Sequence, residues 1–167
     1  MSELADRAAI AELIYRYCRS VDRLDVPLGH SIWHDDGVAD YGAEFYQGSG
    51  KGVIDLICAQ HLHTLGHSHQ VTNILYHLDG DKAGTEAYCT ATLRARQGEK
   101  LLLMTIWTRY VDSWSRRGGR WGLDKRIAIR DFDEMREATA IAEHDVGKRD
   151  QTDPSYTVLP AAHYTKG

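Results

Sequence analysis

Apolar residues recur every three or four positions from Leu4 to Leu24, the spacing of an amphipathic helix. At about 100° per residue, Leu4, Ala8, Ala11, Tyr15, Cys18 and Asp22 fall in one narrow stripe. Ile10, Leu13, Ile14, Tyr17 and Val21 widen that stripe into a broad apolar face. Glu12, Arg16, Arg19 and Arg23 lie opposite, with Glu12 placed four residues before Arg16 for an ion pair. A carboxylate on the apolar arc is costly unless it is paired. Asp22 is therefore either a functional group or a solvated residue near a helix end.

Pro27 marks a boundary, after which Leu28 to His34 supplies one or two helical turns. Short strands are expected at Val38–Tyr41 and Phe45–Tyr46, and Val53, Ile54, Ile57, Leu62 and Leu65 predict a helix from Gly52 to about Leu65. The pattern then changes to four strand-like runs, Gln70–Leu78, Thr85–Gln97, Lys100–Trp114 and Gly119–Asp131. Asp79-Gly80-Asp81, Gly98 and Arg117-Gly118-Gly119 separate them. Ala87, Cys89, Ala91 and Leu93 alternate with Glu86, Tyr88, Thr90 and Thr92, as in a sheet with two unequal faces. Helices first and a meander afterwards predict an α+β fold. Residues 1–133 form the domain in this reading. From Glu134 to Gly167 apolar density falls, which predicts an extended tail, helical at its start, packed on the body or on a neighbouring subunit.

Composition narrows the function classes. Twenty basic and twenty-four acidic side chains give a net charge of −4, so no basic excess points to nucleic acid or to an anionic membrane. The apolar run Leu101–Ile106 is too short to span a bilayer, and Glu3 and Asp6 argue against a signal peptide at the start. Cys18, Cys58 and Cys89 are odd in number and widely spaced, and are expected as free core thiols in a cytoplasmic protein.

Nine histidines include His61, His63, His67 and His69 in one short stretch. Two imidazoles one residue apart share a strand face, as a metal site would need. No cysteine lies nearby, no HExxH occurs, and the stretch spans a predicted helix end and loop, so no metal is expected. His61, His63 and His67 are read as solvated loop residues. His69 opens the strand that continues through Val71, Asn73 and Leu75, where a side chain can face a cavity roofed by the helices. No phosphate loop, GxSxG elbow or GxGxxG is present. Four tryptophans and nine tyrosines exceed what a core needs, and some are candidates to line a pocket for a ring-shaped ligand while others pack in the sheet.

The chain resembles SnoaL-like members of the nuclear transport factor 2-like superfamily over roughly residues 4–133. The resemblance rests on Asp6-Arg-Ala-Ala-Ile-Ala-Glu-Leu-Ile-Tyr-Arg-Tyr-Cys-Arg-Ser-Val-Asp22, Trp33-His-Asp-Asp-Gly37, His69-Gln-Val-Thr-Asn73 and Gly119-Arg-Trp121, with Arg126 five residues beyond the tryptophan. It implies a cone-shaped α+β barrel. Within the superfamily the pattern is most similar to the cofactor-independent lyases: hexachlorocyclohexane dehydrochlorinase, scytalone dehydratase and bile acid 7α-dehydratase. The dehydrochlorinase pattern lands on Asp22, His69 and Arg126, and the bile acid enzyme's tyrosine lands on Tyr17.

That resemblance implies an Asp–His general base acting on a hydrophobic cyclic or aromatic small molecule, with Tyr17 and Arg126 assisting. Tyr41, Asn73, Trp107 and Tyr110 are the expected substrate contacts. Dehydration, dehydrohalogenation and retro-aldol deformylation share this base, and none requires a metal or organic cofactor. A ketosteroid-type isomerase and a non-catalytic small-ligand binder are the alternatives, because the same fold hosts each. Related lyases also imply a homo-oligomer, a trimer before a dimer. Regular alternation sets Arg126 with Asp124 and Ala128, opposite Leu123, Ile127 and Ile129. Arg126 reaches the cavity only through a bulge or at a wide mouth.

Overall fold

In the computed structural model, residues 2–139 and 147–159 are described. Helix α1 runs Glu3–Arg23; the Ser2 side chain caps its start and Leu24 ends it in the left-handed conformation, φ 55°. Its buried face is Ile10, Leu13, Ile14, Tyr17, Cys18 and Val21. The narrow stripe expected at the centre of that face is instead its margin. Leu4 is 76% exposed and Tyr15 50% exposed, so Asp22 stands at the rim of the apolar arc.

Helix α2 (Val26–His30) is capped by Asp25 and carries Pro27 in its first turn, where a missing N–H costs nothing. Helix α3 (Gly50–His61) starts at the Ser49 cap. Gly50 lies under the ring of Trp33, where an added Cβ would stand 2.0 Å from a ring carbon, so no larger residue fits. The helix stops at His61, short of the expected Leu65.

Six strands follow: β1 (Trp33–Asp40), β2 (Gln47–Ser49), β3 (Gly66–Asp79), β4 (Lys82–Gln97), β5 (Lys100–Arg117) and β6 (Arg120–Glu137). They form one sheet in the order β2-β1-β6-β5-β4-β3. Only the β1–β6 pair is parallel. The expected meander is present as three hairpins, turning on Gly80, Gly98 and Gly118-Gly119, all at positive φ. The curved sheet and the helices on its concave side make the α+β barrel expected from the sequence. Ile10, Ile14, Tyr17 and Val21 of α1 and Val53, Ile54 and Ile57 of α3 form one core with Ala87, Cys89, Tyr110, Trp114 and Leu123 of the sheet. Cys18, Cys58 and Cys89 are free and buried in it.

Several boundaries move. Strand β1 begins at Trp33, where helical turns were expected, and β3 begins four residues before Gln70. Strand β6 continues through Glu137, so the chain beyond residue 133 starts as strand rather than helix. Of the later residues, 147–159 lie against the body. Arg23 donates to the Lys148 carbonyl (2.8 Å), Arg19 to Ser155 Oγ (3.1 Å) and Tyr156 Oη to Asp25 (2.8 Å). Residues 140–146 and 160–167 of the expected tail lie outside the described residues.

Bulges decide which side chains face inward. In β3, Val71 pairs with Cys89 and Ile74 with Ala87, so one extra residue sits at Thr72-Asn73. In β6, Lys125 pairs with Ser113 but Leu123 with Trp114, which makes Asp124 the extra residue. A bulge shifts the side-chain phase of everything beyond it.

Candidate active site

Asp22, in the last turn of α1, and His69, near the start of β3, meet at two points. The His69 ring donates through Nδ1 to Asp22 Oδ1 (2.7 Å), and the His69 backbone N–H donates to Asp22 Oδ2 (2.9 Å). Their side chains are only 14% and 8% exposed. Each carboxylate oxygen thus accepts one hydrogen bond from His69, the tautomer is set, and Nε2 is the ring nitrogen left unprotonated in the neutral ring.

His69 lines a cavity of about 390 Å³ between α1, α3 and the concave sheet. Most of its wall is apolar or aromatic: Phe45, Ile57, Ala91, Leu93, Met104, Ile106, Ala128 and the rings of Tyr17, Tyr41 and Tyr110. The polar groups on it are few, namely His69, His61, Gln60, Thr64, Thr108 and Arg130. That volume and composition suit a small ring compound held by shape and oriented by a handful of hydrogen bonds.

Tyr17 and Tyr41 share a hydrogen bond between their hydroxyls (2.8 Å). Burial raises both phenols above their ordinary range, so each remains a neutral donor at ordinary pH. Tyr110 meets Tyr17 edge to face, with ring centroids 5.4 Å apart.

Behind these rings lies Arg126. The Asp124 bulge turns it inward, so Arg126, Ala128 and Arg130 share the cavity side while Ile127 and Ile129 face out. Arg126 is nevertheless not on the cavity wall. It is fully buried, bonded to Asp112 through Nε (2.8 Å) and Nη2 (2.7 Å), and sandwiched between the Tyr17 and Tyr110 rings at 4.2 and 4.0 Å. Burial works against the Arg126 charge, but Asp112 holds it well above its ordinary value. Burial pushes the Asp112 carboxyl up, and Arg126 opposes it. The pair is a buried foundation for the tyrosines.

Of the residues singled out from the sequence, His69, Tyr17, Tyr41 and Tyr110 line the cavity, and Asp22 stands behind His69, bonded to it. Asn73 does not: the β3 bulge turns it outward, exposed, with Thr72 donating to it, while Ile74 takes the inner position. Leu75 is outward too, 63% exposed. Trp107 lies on the outer face, where it stacks on Phe132 at 4.7 Å. Met104, Ile106 and Thr108 hold the inner positions of β5.

The histidine cluster is also differently placed. His63 is exposed, but His61 is buried at the end of α3, its ring 4.1 Å from that of His67 and 5.9 Å from that of His69. His67 is half-buried on β3 and bonds the Val21 carbonyl (2.6 Å). Burial, with His67 and His69 adding, pushes His61 down to about 3. His61 is therefore a neutral ring, and its Nδ1 has no hydrogen-bond partner among the described residues. Among the described residues no group of three His, Cys, Asp or Glu side chains is arranged to hold a metal ion. Asp112, His61 and Arg130 were not selected from the sequence. Asp112 and Arg130 become legible once the inward phase of β5 and β6 is known.

The profile of the SnoaL-like domain matches residues 2–127. Comparison with curated proteins finds no match. Among solved structures, a protein from Kribbella flavida superposes with a TM-score of 0.72 at 18% identity, covering 80% of this chain and 95% of that one. Hexachlorocyclohexane dehydrochlorinase from Novosphingobium barchaimii gives 0.69 at 23% identity over 85% and 96%. A protein from Novosphingobium aromaticivorans, provisionally assigned as a scytalone dehydratase, gives 0.66 at 18% over 85% and 97%. These identities establish the fold. With its helices on a curved sheet and the domain profile running from its second residue into β6, the chain belongs to the SnoaL-like domain family.

Proposed function

We propose that this protein is a cofactor-independent lyase that removes a proton and a leaving group from a hydrophobic cyclic or aromatic small molecule. The observation that carries this reading is the twofold grip of Asp22 on His69 at the edge of an apolar cavity. Burying an ionisable pair beside a greasy pocket is costly and gives a simple carrier nothing. A base oriented by a carboxylate is what proton abstraction from carbon needs.

In the dehydration that we favour, His69 Nε2 takes a proton from a ring carbon. The C–H electrons form the new double bond, and the C–O bond breaks. The departing hydroxyl leaves as water after receiving a proton from the imidazolium or through the Tyr17–Tyr41 hydroxyl pair. Asp22 stabilises the imidazolium while it carries charge. Loss of a halide uses the same first step, and a retro-aldol deformylation uses the same base on a hydroxyl, whose O–H electrons form a carbonyl as the C–C bond breaks to a carbanion that is then protonated. Because His69 and not Asp22 lines the cavity, the imidazole rather than the carboxylate is the base in this proposal. The resemblance to a dehydrochlorinase and to a provisional scytalone dehydratase supports the reading through the fold. Copies of the chain associate, in this proposal, through the outer sheet face that exposes Tyr88 and Phe132.

A screen of aryl and alicyclic alcohols, followed by the absorbance of the conjugated product, tests the proposal. Turnover that disappears in His69→Ala supports it. Turnover that persists in that variant overturns the assignment of the base.

A further inference from the structure

A second cleft, of about 510 Å³, opens on the other side of Asp22 between the end of α1, the start of β3, β4 and the segment 147–149. Four cationic side chains line it: Arg23, Arg94, Lys148 and Arg149. No carboxylate among the described residues forms an ion pair with any of them. Asp22 also borders the cleft, with its carboxylate hydrogen-bonded to His69 rather than to any of the four. Asp153, on the same tail, is turned to the Lys148 backbone N–H and to Ser155. Asp150 and Asp153 act on Lys148 and Arg23 only at longer range, so in a chain of net charge −4 the cleft gathers four cations with no direct salt bridge among the described residues.

Two of the four are anchored, which preorganises the rest. Arg23 donates one nitrogen to the Lys148 carbonyl (2.8 Å), tying the tail to α1. Arg149 donates through Nη1 to the His61 carbonyl (2.6 Å) and Thr64 Oγ1 (3.2 Å), and so stands between this cleft and the catalytic cavity. Arg94 and Lys148 place their charged ends with no side-chain partner among the described residues. Guanidinium forks beside an ammonium are the donor set that binds the oxygens of a phosphate.

We infer that the Arg23–Arg94–Lys148–Arg149 cleft binds a phosphate group, supplied by a phosphorylated small molecule or by inorganic phosphate. This site is separate from the catalytic cavity, and its occupancy is read without turnover, so it stands or falls independently of the lyase assignment. The test is isothermal titration of the full chain at fixed ionic strength with inorganic phosphate and, separately, with ADP. Saturable binding at one site per chain is expected for at least one of them. Tighter binding of ADP identifies a phosphorylated molecule as the ligand, and equal or better binding of phosphate identifies the free ion. The double variant Arg94→Gln/Lys148→Gln gives up no side-chain hydrogen bond or ion pair among the described residues, and circular dichroism checks that it keeps the fold. It should weaken binding roughly tenfold or more, as expected when charge-assisted hydrogen bonds are removed. Absence of saturable binding by both probes, or undiminished binding by the folded double variant, overturns the inference.

Discussion

Asp22 holds His69 by both its ring and its backbone, so the carboxylate fixes the strand start and the imidazole tautomer together. A residue that does both cannot be replaced by one that does either alone. His69→Ala is expected to lower kcat by about 10²–10⁴-fold, the worth of a positioned general base. Asp22→Asn should be severely impaired as well, since an amide cannot stabilise an imidazolium. In the double variant the two losses should not multiply. Steady-state kinetics on a substrate found by the alcohol screen measures all three, and a chelator should leave the wild-type rate unchanged.

The Tyr17–Tyr41 hydroxyl pair on the same cavity wall gives a different signature. Tyr17→Phe and Tyr41→Phe each keep the ring and lose one hydroxyl, so stability should change by only about 1 kcal/mol. The expected effect is on kcat, about tenfold or more, if the pair delivers a proton to the leaving group. A change confined to KM would reassign the hydroxyls to ground-state binding.

The buried Arg126–Asp112 pair should matter to stability first. Arg126→Ala strands a carboxylate in the core and should cost about 3–5 kcal/mol in urea denaturation. Replacing both partners, as Arg126→Met with Asp112→Leu, should recover much of that loss. If the single variant is nearly as stable as wild type, the pair is not the foundation we describe.

The neutral His61 sets an acid limit. Its folded value is about 3, against an unfolded value of 6.5. Between these limits the unfolded chain binds a proton that the folded chain refuses. Its contribution is thus complete above about pH 6.5 and is lost as pH falls towards 3. From pH 7 to pH 5 this ring should withdraw about 2 kcal/mol. His61→Phe, which cannot titrate, should flatten that part of the stability profile, as measured by denaturation at each pH.

The outer sheet face offers an assembly test. Light scattering at micromolar concentration should show a homo-oligomer, a trimer in preference to a dimer. Phe132→Lys should shift the mass towards monomer, and a monomeric wild type would remove the proposed interface.

Much of this arrangement was legible in the sequence. Helix α1, the hairpin glycines and the alternation in β4 all follow from local spacing, and Asp22 with His69 was found from its pattern and resemblance. What was not legible depended on phase. Asn73 and Leu75 were assigned the inner face because an unbroken strand would put them there, and the bulge at Thr72-Asn73 reverses it. His61 looked like a loop residue because its burial comes from β3, a contact that no local pattern encodes. Asp112 sits between Val111 and Ser113 with no mark of its own. Only its cross-strand register with Arg126 reveals the pair.

The extra residue at Asp124 divides β6 into two stretches with different duties. Before it, Trp121 and Leu123 point into the core; after it, Arg126 supports the tyrosines, and Ala128 and Arg130 reach the cavity wall. Pairing β6 at its full length without the bulge would set Ile127 and Ile129 inward and expel the arginine, whereas deleting Asp124 would straighten the strand and leave Arg126, Ala128 and Arg130 on the inner face. The bulge therefore acts as a coupling between two separately adjustable half-strands. The side chains at 128 and 130 that shape the cavity are thereby set apart from Trp121 and Leu123, which anchor the strand in the core.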